Sequence, residues 1–337
     1  MSDSPRPYPQ SDGTVGWGIL ATGGIAHDFT ADLLAHGHRV AAVGSRSIDS
    51  ARSFAQSFGI ARAHGSYAAL VADSAIDVVY VATPHNFHAA HATLALEAGK
   101  HVLVEKAFTQ SAAQARAIVE LAEQRSLLVQ EAMWTRFLPH MHYVRSVVAD
   151  GRLGTVRSVH AEHAQRLPGE PEHRLNNPNL AGGALLDLGS YPISFVHDIL
   201  GPPSHVQAQA TFKPTGVDAS VATIFAHASG AVSTTYSSSE TRGSNTASVL
   251  GTDGRLELAA TWYGPTTVSL YDHNDTLLEQ FDGAVSGRGM QYQAAEVERL
   301  LGEGRTTGST LAPRESLAIM TTMDEIREQI GLRYPDE

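Results

Sequence analysis

The chain of 337 residues contains no cysteine. That excludes disulfides, thiolate metal sites and thiol nucleophiles. No apolar run approaches the ~18 residues of a membrane helix. Basic residues are in deficit, 24 Lys and Arg against 35 Asp and Glu, for a net charge of −11. An acidic surface argues against a nucleic-acid backbone or an anionic membrane as the main partner. Any phosphate site must therefore be local, built from main-chain N–H groups and one or two cations. The opening residues are rich in Ser, Pro and Asp and have neither an apolar core nor a twin arginine. Residues 1–13 are expected to be a disordered lead rather than a secretion signal, and the cytoplasm is the expected compartment. Beyond that lead there is no low-complexity tract and no internal repeat.

What is present is an alternation of apolar strands and helices. Thr14–Leu20 reads as a strand running into the turn Ala21-Thr22-Gly23-Gly24-Ile25-Ala26, from which a helix continues to Leu34. Arg39–Val43, Asp77–Ala82, His101–Val104 and Leu127–Glu131 read as further strands, and Asp49–Phe58, His88–Ala98 and Ser111–Arg125 as helices between them. Near-continuous apolar strands separated by helices mean βαβ units and a parallel sheet buried on both faces. After about residue 150 the pattern changes. Val156–Gln165, Val206–Phe212, Ser220–Ala228, Ala231–Ser238, Ala247–Leu250, Arg255–Leu258 and Thr267–Tyr271 follow one another as strands, with helices at Tyr292–Leu301 and Pro313–Ile330. The expectation is α/β: a doubly wound parallel sheet over 14–133, and an α+β substrate and oligomerisation domain over 134–310 with a large open, mostly antiparallel sheet. A C-terminal helix, 311–337, is expected to pack back on the first domain.

In open α/β sheets ligands bind beyond the carboxyl ends of the strands. Gly23, Gly24, Ile25 and Ala26 lie there, where small residues let a pyrophosphate approach main-chain N–H groups and a helix N-terminus. Taken alone, the turn reads equally as a structural βα connection. The second strand ends at Ser45-Arg46, with no acid until Asp49. A carboxylate at that place holds the ribose 2′-OH of NAD, whereas a guanidinium fork suits a 2′-phosphate, so NADP(H) is expected. The other reading of Arg46 is a solvated surface arginine. Glu105-Lys106 closes the strand begun at His101, and Lys106 either acts on a substrate oxygen or pairs with Glu105. Gly182 to Tyr191 offers Asp187 and Tyr191 at i and i+4, on one face if the helix is continuous, with Pro192 expected to kink it. Lys106 and Tyr191 are both candidate proton donors, and a nearby ammonium would lower a phenol's ordinary pKa of ~10; which of them is the formal acid stays open. Asp187 either orients substrate or caps a helix. Trp134, Arg136, Arg157, His163 and Arg174 are candidate walls of a substrate pocket; Trp134 reads equally as a buried aromatic and His163 as an exposed imidazole. Asn176 belongs with them as a hydrogen-bonding group. His85, His88 and His91 do not share one helix face and no carboxylate has zinc-motif spacing, so no metal is expected.

Six motifs stand in order: Trp17-Gly18-Ile19-Leu20, Thr83-Pro84 with His88, Glu105-Lys106, Glu131 to Phe137, Gly182 to Pro192, and Glu315-Ser316-Leu317 with Met323 to Arg327. Together they resemble the Gfo/Idh/MocA oxidoreductase family from about Val15 to Leu332, in the branch of dimeric dihydrodiol dehydrogenase, D-xylose dehydrogenase and glucose–fructose oxidoreductase. The resemblance implies a Rossmann domain and an NADP(H)-dependent dehydrogenase or reductase acting on CH–OH or C=O groups of a sugar, polyol or small hydroxy-carbonyl compound. It implies cofactor contacts from the Gly23–Ala26 turn, Ser45, Arg46, Thr83, Pro84, His85, His88, Glu105, Lys106, Trp134 and Arg136. It implies proton transfer by Tyr191 with Lys106, substrate contacts from Asp187, and a homodimer or homotetramer formed through the open sheet. Other members are sugar sensors, which tend to lose the lysine kept here, or sugar–sugar oxidoreductases whose N-terminal arm clamps the cofactor. There are two departures from the family pattern. Ala107 replaces the proline after Glu-Lys, so a trans Lys106–Ala107 peptide is expected, since non-proline cis costs ~2.5–4 kcal/mol. Ala21 replaces the first glycine of the nucleotide turn, which is tolerable where φ is not positive.

Overall fold

The computed structural model describes residues 8–335. Two compact units result: the residues up to Trp134 with Ser286–Leu317, and Thr135–Val285 with the residues from Ala318 on.

The first unit contains β1 (Gly16–Leu20), α1 (Gly24–Ala35), β2 (Arg39–Gly44), α2 (Ile48–Phe58), β3 (Arg62–His64), α3 (Tyr67–Val71), β4 (Val78–Val81), α4 (His88–Glu97), β5 (His101–Glu105), α5 (Ala112–Arg125) and β6 (Val129–Ala132). The order is β3-β2-β1-β4-β5-β6, all parallel, and β1, β4 and β6 are wholly buried. This is the doubly wound Rossmann order, whose crevice opens where the winding reverses, between β1 and β4. Serines set the helix starts: Ser47 accepts from the Ser50 N–H and Ser111 from the Gln114 N–H, both at 3.4 Å. Gly59, at φ +69°, ends α2. The sequence reading missed β3 and α3, both short. At Ala21 φ is +94°, and its N–H donates to the Gly44 carbonyl at 2.9 Å. The turn thus holds a Cβ in a region that favours glycine.

In the second unit the chain forms α6 (Pro139–Ala149), β7 (Val156–Ala164), α7 (Ser190–Leu200) and the strands β8 (His205–Phe212), β9 (Asp218–Ala226), β10 (Val232–Ser238), β11 (Ala247–Gly251), β12 (Gly254–Leu258), β13 (Thr267–Asp272) and β14 (Leu277–Asp282). Their order is β14-β13-β12-β11-β7-β10-β9-β8. Only the β7–β10 pairing is parallel. Alternation along β7 buries Val159, Ala161 and His163 and leaves Ser158, His160 and Glu162 on the more open face. The sequence reading missed α6 and β14, although Pro139 at a helix start followed by buried Met141, Val144 and Val147 carries a helical signature.

Two boundaries differ from expectation. Ser286–Leu317, with α8 (Gln291–Gly302), joins the Rossmann unit because Glu298 accepts from Trp17 Nε1 at 2.9 Å and pairs with His38 at 2.7 Å. The Asp32 carboxylate also accepts the N–H groups of Arg288 and Met290. Helix α9 (Pro313–Ile330) is divided: its first residues, to Leu317, fall in the first unit, where Arg314 donates to Glu123 on α5 at 2.7 Å, and from Ala318 on it belongs to the second unit. There the Gln329 side chain bonds Val206 O and Ala208 N along β8, and Thr322 bonds His197. The expected disordered lead falls in part outside the described residues. Of the part described, Tyr8 is buried with its ring against Tyr292, while Pro9, Gln10 and Asp12 are exposed.

Burial holds His88, His140 and His142 at pKa values of about 4 and His197 at about 3. In the unfolded chain these rings titrate near ~6.5. As pH falls below that value the unfolded state takes up protons first, so stability drops towards pH 4 by up to about 1.4 kcal/mol per pH unit per histidine. Asp218, pushed up to about 6 by burial, acts in the opposite sense, one group against four. The melting temperature should fall steadily from neutral pH into this acid window, and His197→Asn should flatten the fall; an unchanged slope in that variant would exclude His197 as a contributor. Ala21→Gly should stabilise the chain by on the order of 1 kcal/mol, since glycine tolerates positive φ. A urea midpoint equal to or below that of the parent would contradict this.

Candidate active site

The turns at the carboxyl ends of the Rossmann strands bring most of the predicted cofactor residues onto one rim. A Cβ built on Gly23 or Gly24 meets nothing within 4 Å, so there is open space over the turn. Gly23 is the N-cap of α1, no side chain caps it, and the first turn carries no acid. Uncapped N–H groups at the positive end of a helix, with room above them, fit a pyrophosphate. At the end of β2, Ser45 is buried while Arg46 is exposed and, among the described residues, makes no ion pair. Arg46 is flanked from α3 and α4. Burial pushes the Tyr67 phenol up, and interaction with Arg46 opposes the rise; burial pushes His91 down, and Arg46 adds to the fall. His91 also stacks edge-on against Tyr67 and bonds Thr83 Oγ1 at 3.1 Å. The sequence reading considered His91 only as a metal ligand and missed Tyr67. Neither residue carries a motif; the fold alone places them beside Arg46.

Beyond β4 and β5 the backbone is held by buried side chains. His88 is fully buried, with Nε2 2.7 Å from Thr83 O and Nδ1 2.8 Å from Ala107 O. Two carbonyls favour the charged ring; burial is the larger effect and disfavours it. His85 lies edge-on to His88 and is itself buried, and Pro84 precedes it. Among the described residues no three His, Asp or Glu side chains converge as an ion site. Contrary to expectation, the Lys106–Ala107 peptide is cis. Buried groups hold the chain beyond it: the Ala107 carbonyl meets His88, and the Phe108 N–H donates to Glu131 Oε1 at 3.0 Å. Glu105 accepts from the Tyr80 hydroxyl and from the Lys106 N–H, so it braces the strand end on which Lys106, half-buried, stands. Trp134 is buried with the Arg288 guanidinium 5.9 Å from its ring centre.

In the second unit, Arg136 corrects an expectation. The residue is 2% exposed, and its guanidinium donates to Ser194 O at 2.8 Å and pairs with Asp198 at 3.2 Å. Both partners are on α7, so Arg136 is a strut of the helix that carries Tyr191 rather than a group facing a cofactor. Leu185–Gly189 is a π-helical turn that runs straight into α7, and Pro192, the third residue of α7, has its i−4 carbonyl at Leu188 inside that turn. Upstream, Gly183 has φ +121°, and a Cβ there would lie 2.0 Å from Asp218 Oδ1. Asp218, wholly buried, accepts the Leu185 N–H at 2.6 Å and so pins the start of the turn bearing Asp187. Arg174 reaches Asp187 at 3.5 Å. Asn176 is buried and bonds Pro168 O, Glu170 O and Lys213, which makes it a loop brace instead of a substrate group. Arg157 is not brought to His163: it is exposed, six residues earlier on β7, roughly 20 Å away. His163 is buried, not an exposed imidazole. Its ring stacks on Tyr263 at 3.7 Å and meets Tyr191 edge-on at 4.8 Å, and Gln165 bonds both His163 and Tyr263. The sequence reading missed Tyr263 and Gln165; the adjacent aromatics Trp262 and Tyr263 before Gly264-Pro265 were the available signal.

Comparisons with known proteins agree with this architecture. Residues 15–133 match the model of an oxidoreductase family with an NAD-binding Rossmann fold, and residues 141–257 match the GFO/IDH/MocA C-terminal domain. The chain is 37% identical to a D-xylose 1-dehydrogenase (NADP(+)) from Hypocrea jecorina, over 99% of this chain and 95% of that one. It is 35% identical to a trans-1,2-dihydrobenzene-1,2-diol dehydrogenase from Bos taurus, over 95% and 98% of the two chains. Among solved structures, KijD10, a 3-ketoreductase from Actinomadura kijaniata in complex with NADP and TDP-benzene, superposes with a TM-score of 0.82 at 26% identity, covering 94% of this chain and 98% of that one. With both of its domains matched and relatives aligned along nearly its whole length, this chain belongs to the GFO/IDH/MocA oxidoreductase family.

Proposed function

We propose that the protein is an NADP(H)-dependent oxidoreductase that interconverts an alcohol and a carbonyl group on a sugar, polyol or small hydroxy-carbonyl compound. The observation that carries this reading is Lys106, braced by Glu105 and His88 at the carboxyl end of β5, on the rim where a doubly wound sheet takes its ligand. The names of the relatives support the substrate class, and two of those proteins are named with NADP. The Gly23–Ala26 turn would hold the pyrophosphate, and Ser45 with Arg46 the 2′-phosphate. Thr83, Pro84, His85 and Trp134 would border the nicotinamide. When bound, the nicotinamide supplies hydride exchange at the substrate carbon.

The protein's own part is the proton at the substrate oxygen. In the oxidation direction the substrate hydroxyl gives up its proton as the C–H bond breaks; in the reduction direction the nascent alkoxide takes one. We assign that exchange to the Tyr191 hydroxyl, with the Lys106 ammonium polarising the substrate oxygen. Asp187, pinned through the Leu185 N–H and approached by Arg174, orients the substrate by accepting a hydroxyl hydrogen. A panel of aldoses, ketoses, inositols and diketones, offered with NADP⁺ or NADPH and followed by nicotinamide absorbance, tests the reading; no turnover across the panel would defeat it.

Arg46→Ala should weaken NADPH binding roughly ten- to hundredfold, the range of hydrogen bonds to a charged group, and leave NADH nearly unchanged. Equal loss for both cofactors would refute the 2′-phosphate assignment. Lys106→Ala and Tyr191→Phe should each lower kcat by ~10²–10⁴, with NADPH affinity changing far less for Tyr191→Phe. Near-native turnover in both variants would mean that the proton-transfer groups lie elsewhere.

A further inference from the structure

The ring cluster of the second unit contains a hydrogen-bonding pair that this mechanism leaves unused. Gln165, the residue after β7, points one amide hydrogen at His163 Nε2, 2.8 Å away, and the other at the Tyr263 oxygen, 3.0 Å away. An amide nitrogen only donates. In this arrangement His163 Nε2 is the acceptor of that bond. The Tyr263 oxygen accepts from Gln165, so its own O–H is directed elsewhere. Gln165 Oε1 accepts no hydrogen bond from the described residues. One donor and one acceptor thus stand side by side, both on half-buried residues. Burial, opposed by the Gln165 bond and reinforced by Tyr191, pushes the Tyr263 phenol up and keeps it a neutral donor. The Tyr263 and Tyr191 ring centres are 5.5 Å apart.

We propose that Gln165 and Tyr263 form a subsite that reads the hydroxyl on the carbon next to the reacting C–O group. A hydroxyl both donates and accepts. One such group gives its hydrogen to Gln165 Oε1 and takes the Tyr263 hydrogen, satisfying both protein groups at once. A methylene in its place leaves two polar groups desolvated and unpaired. The subsite selects vicinal diols and α-hydroxy carbonyls over isolated alcohols and ketones. It rests on the oxidoreductase reading above and extends it.

The test uses the full chain with NADP⁺ and two probe pairs: D-xylose with 2-deoxy-D-xylose, and trans-1,2-cyclohexanediol with cyclohexanol. In the unaltered protein kcat/KM for the hydroxylated member should exceed that of its partner by at least roughly a hundredfold. Gln165→Leu and Tyr263→Phe should each narrow that ratio about ten- to hundredfold, and the double variant should narrow it little further, because one substrate hydroxyl serves both groups. Tyr263→Phe keeps the stacked ring, so it carries the test if Gln165→Leu misfolds. A ratio near one in the unaltered protein, or one that survives in Tyr263→Phe, overturns the subsite alone. Turnover of no probe by the unaltered protein overturns the oxidoreductase reading, and the subsite falls with it.

Discussion

A single buried imidazole ties together the ends of two central strands. His88 sits between the Thr83 carbonyl, just past β4, and the Ala107 carbonyl, just past β5. Strand ends in a parallel sheet run out of ladder partners, and the turns beyond them are free to wander unless side chains claim their carbonyls. His88 claims two. Glu105 adds the Lys106 N–H and the Tyr80 hydroxyl, and Glu131 takes the Phe108 N–H. The backbone around Lys106 is therefore determined from several sides without the proline that the family pattern places at residue 107. A lysine side chain is flexible; an immobile base for it is what allows a defined aim.

The second unit solves the same problem for a helix. Tyr191 lies in the first turn of α7, and buried contacts on either side of that turn hold it in place. Asp218 grips the Leu185 N–H, Gly183 admits Asp218 because it has no Cβ, and Arg136 links to Ser194 and Asp198 a turn or two further on. A buried arginine–carboxylate pair is costly to desolvate and gives little net stability, but breaking it leaves an unpaired charge. That asymmetry makes such a pair better at specifying one arrangement than at stabilising the fold. Ring contacts among His163, Tyr191 and Tyr263 then fix the phenol against a surface that also carries hydrogen-bonding groups.

The places of the glycine turn after β1, of Arg46 after β2 and of Lys106 after β5 were legible because each depends on a few adjacent residues and on one rule about strand ends. Arg136 was misassigned because proximity to Trp134 in the chain says nothing about which way a guanidinium turns; its partners lie about sixty residues on, at Ser194 and Asp198. Asn176 and Arg157 failed likewise, one drawn into a loop brace and one left at the far end of β7.

The sequence by itself determined the fold class and the strand-end residues of the Rossmann sheet, since hydrophobic periodicity and turn chemistry are local properties. It also determined the exclusion of thiol chemistry, which follows from the absence of cysteine. Tertiary structure decided the rest. It returned Ser286–Leu317 to the Rossmann unit through Glu298 and Asp32, and it set the cis geometry at Lys106–Ala107. It also brought Gln165 to Tyr263 across 98 positions of chain. Those contacts form only once loop closure has been overcome by burial elsewhere, so no short window of residues records them.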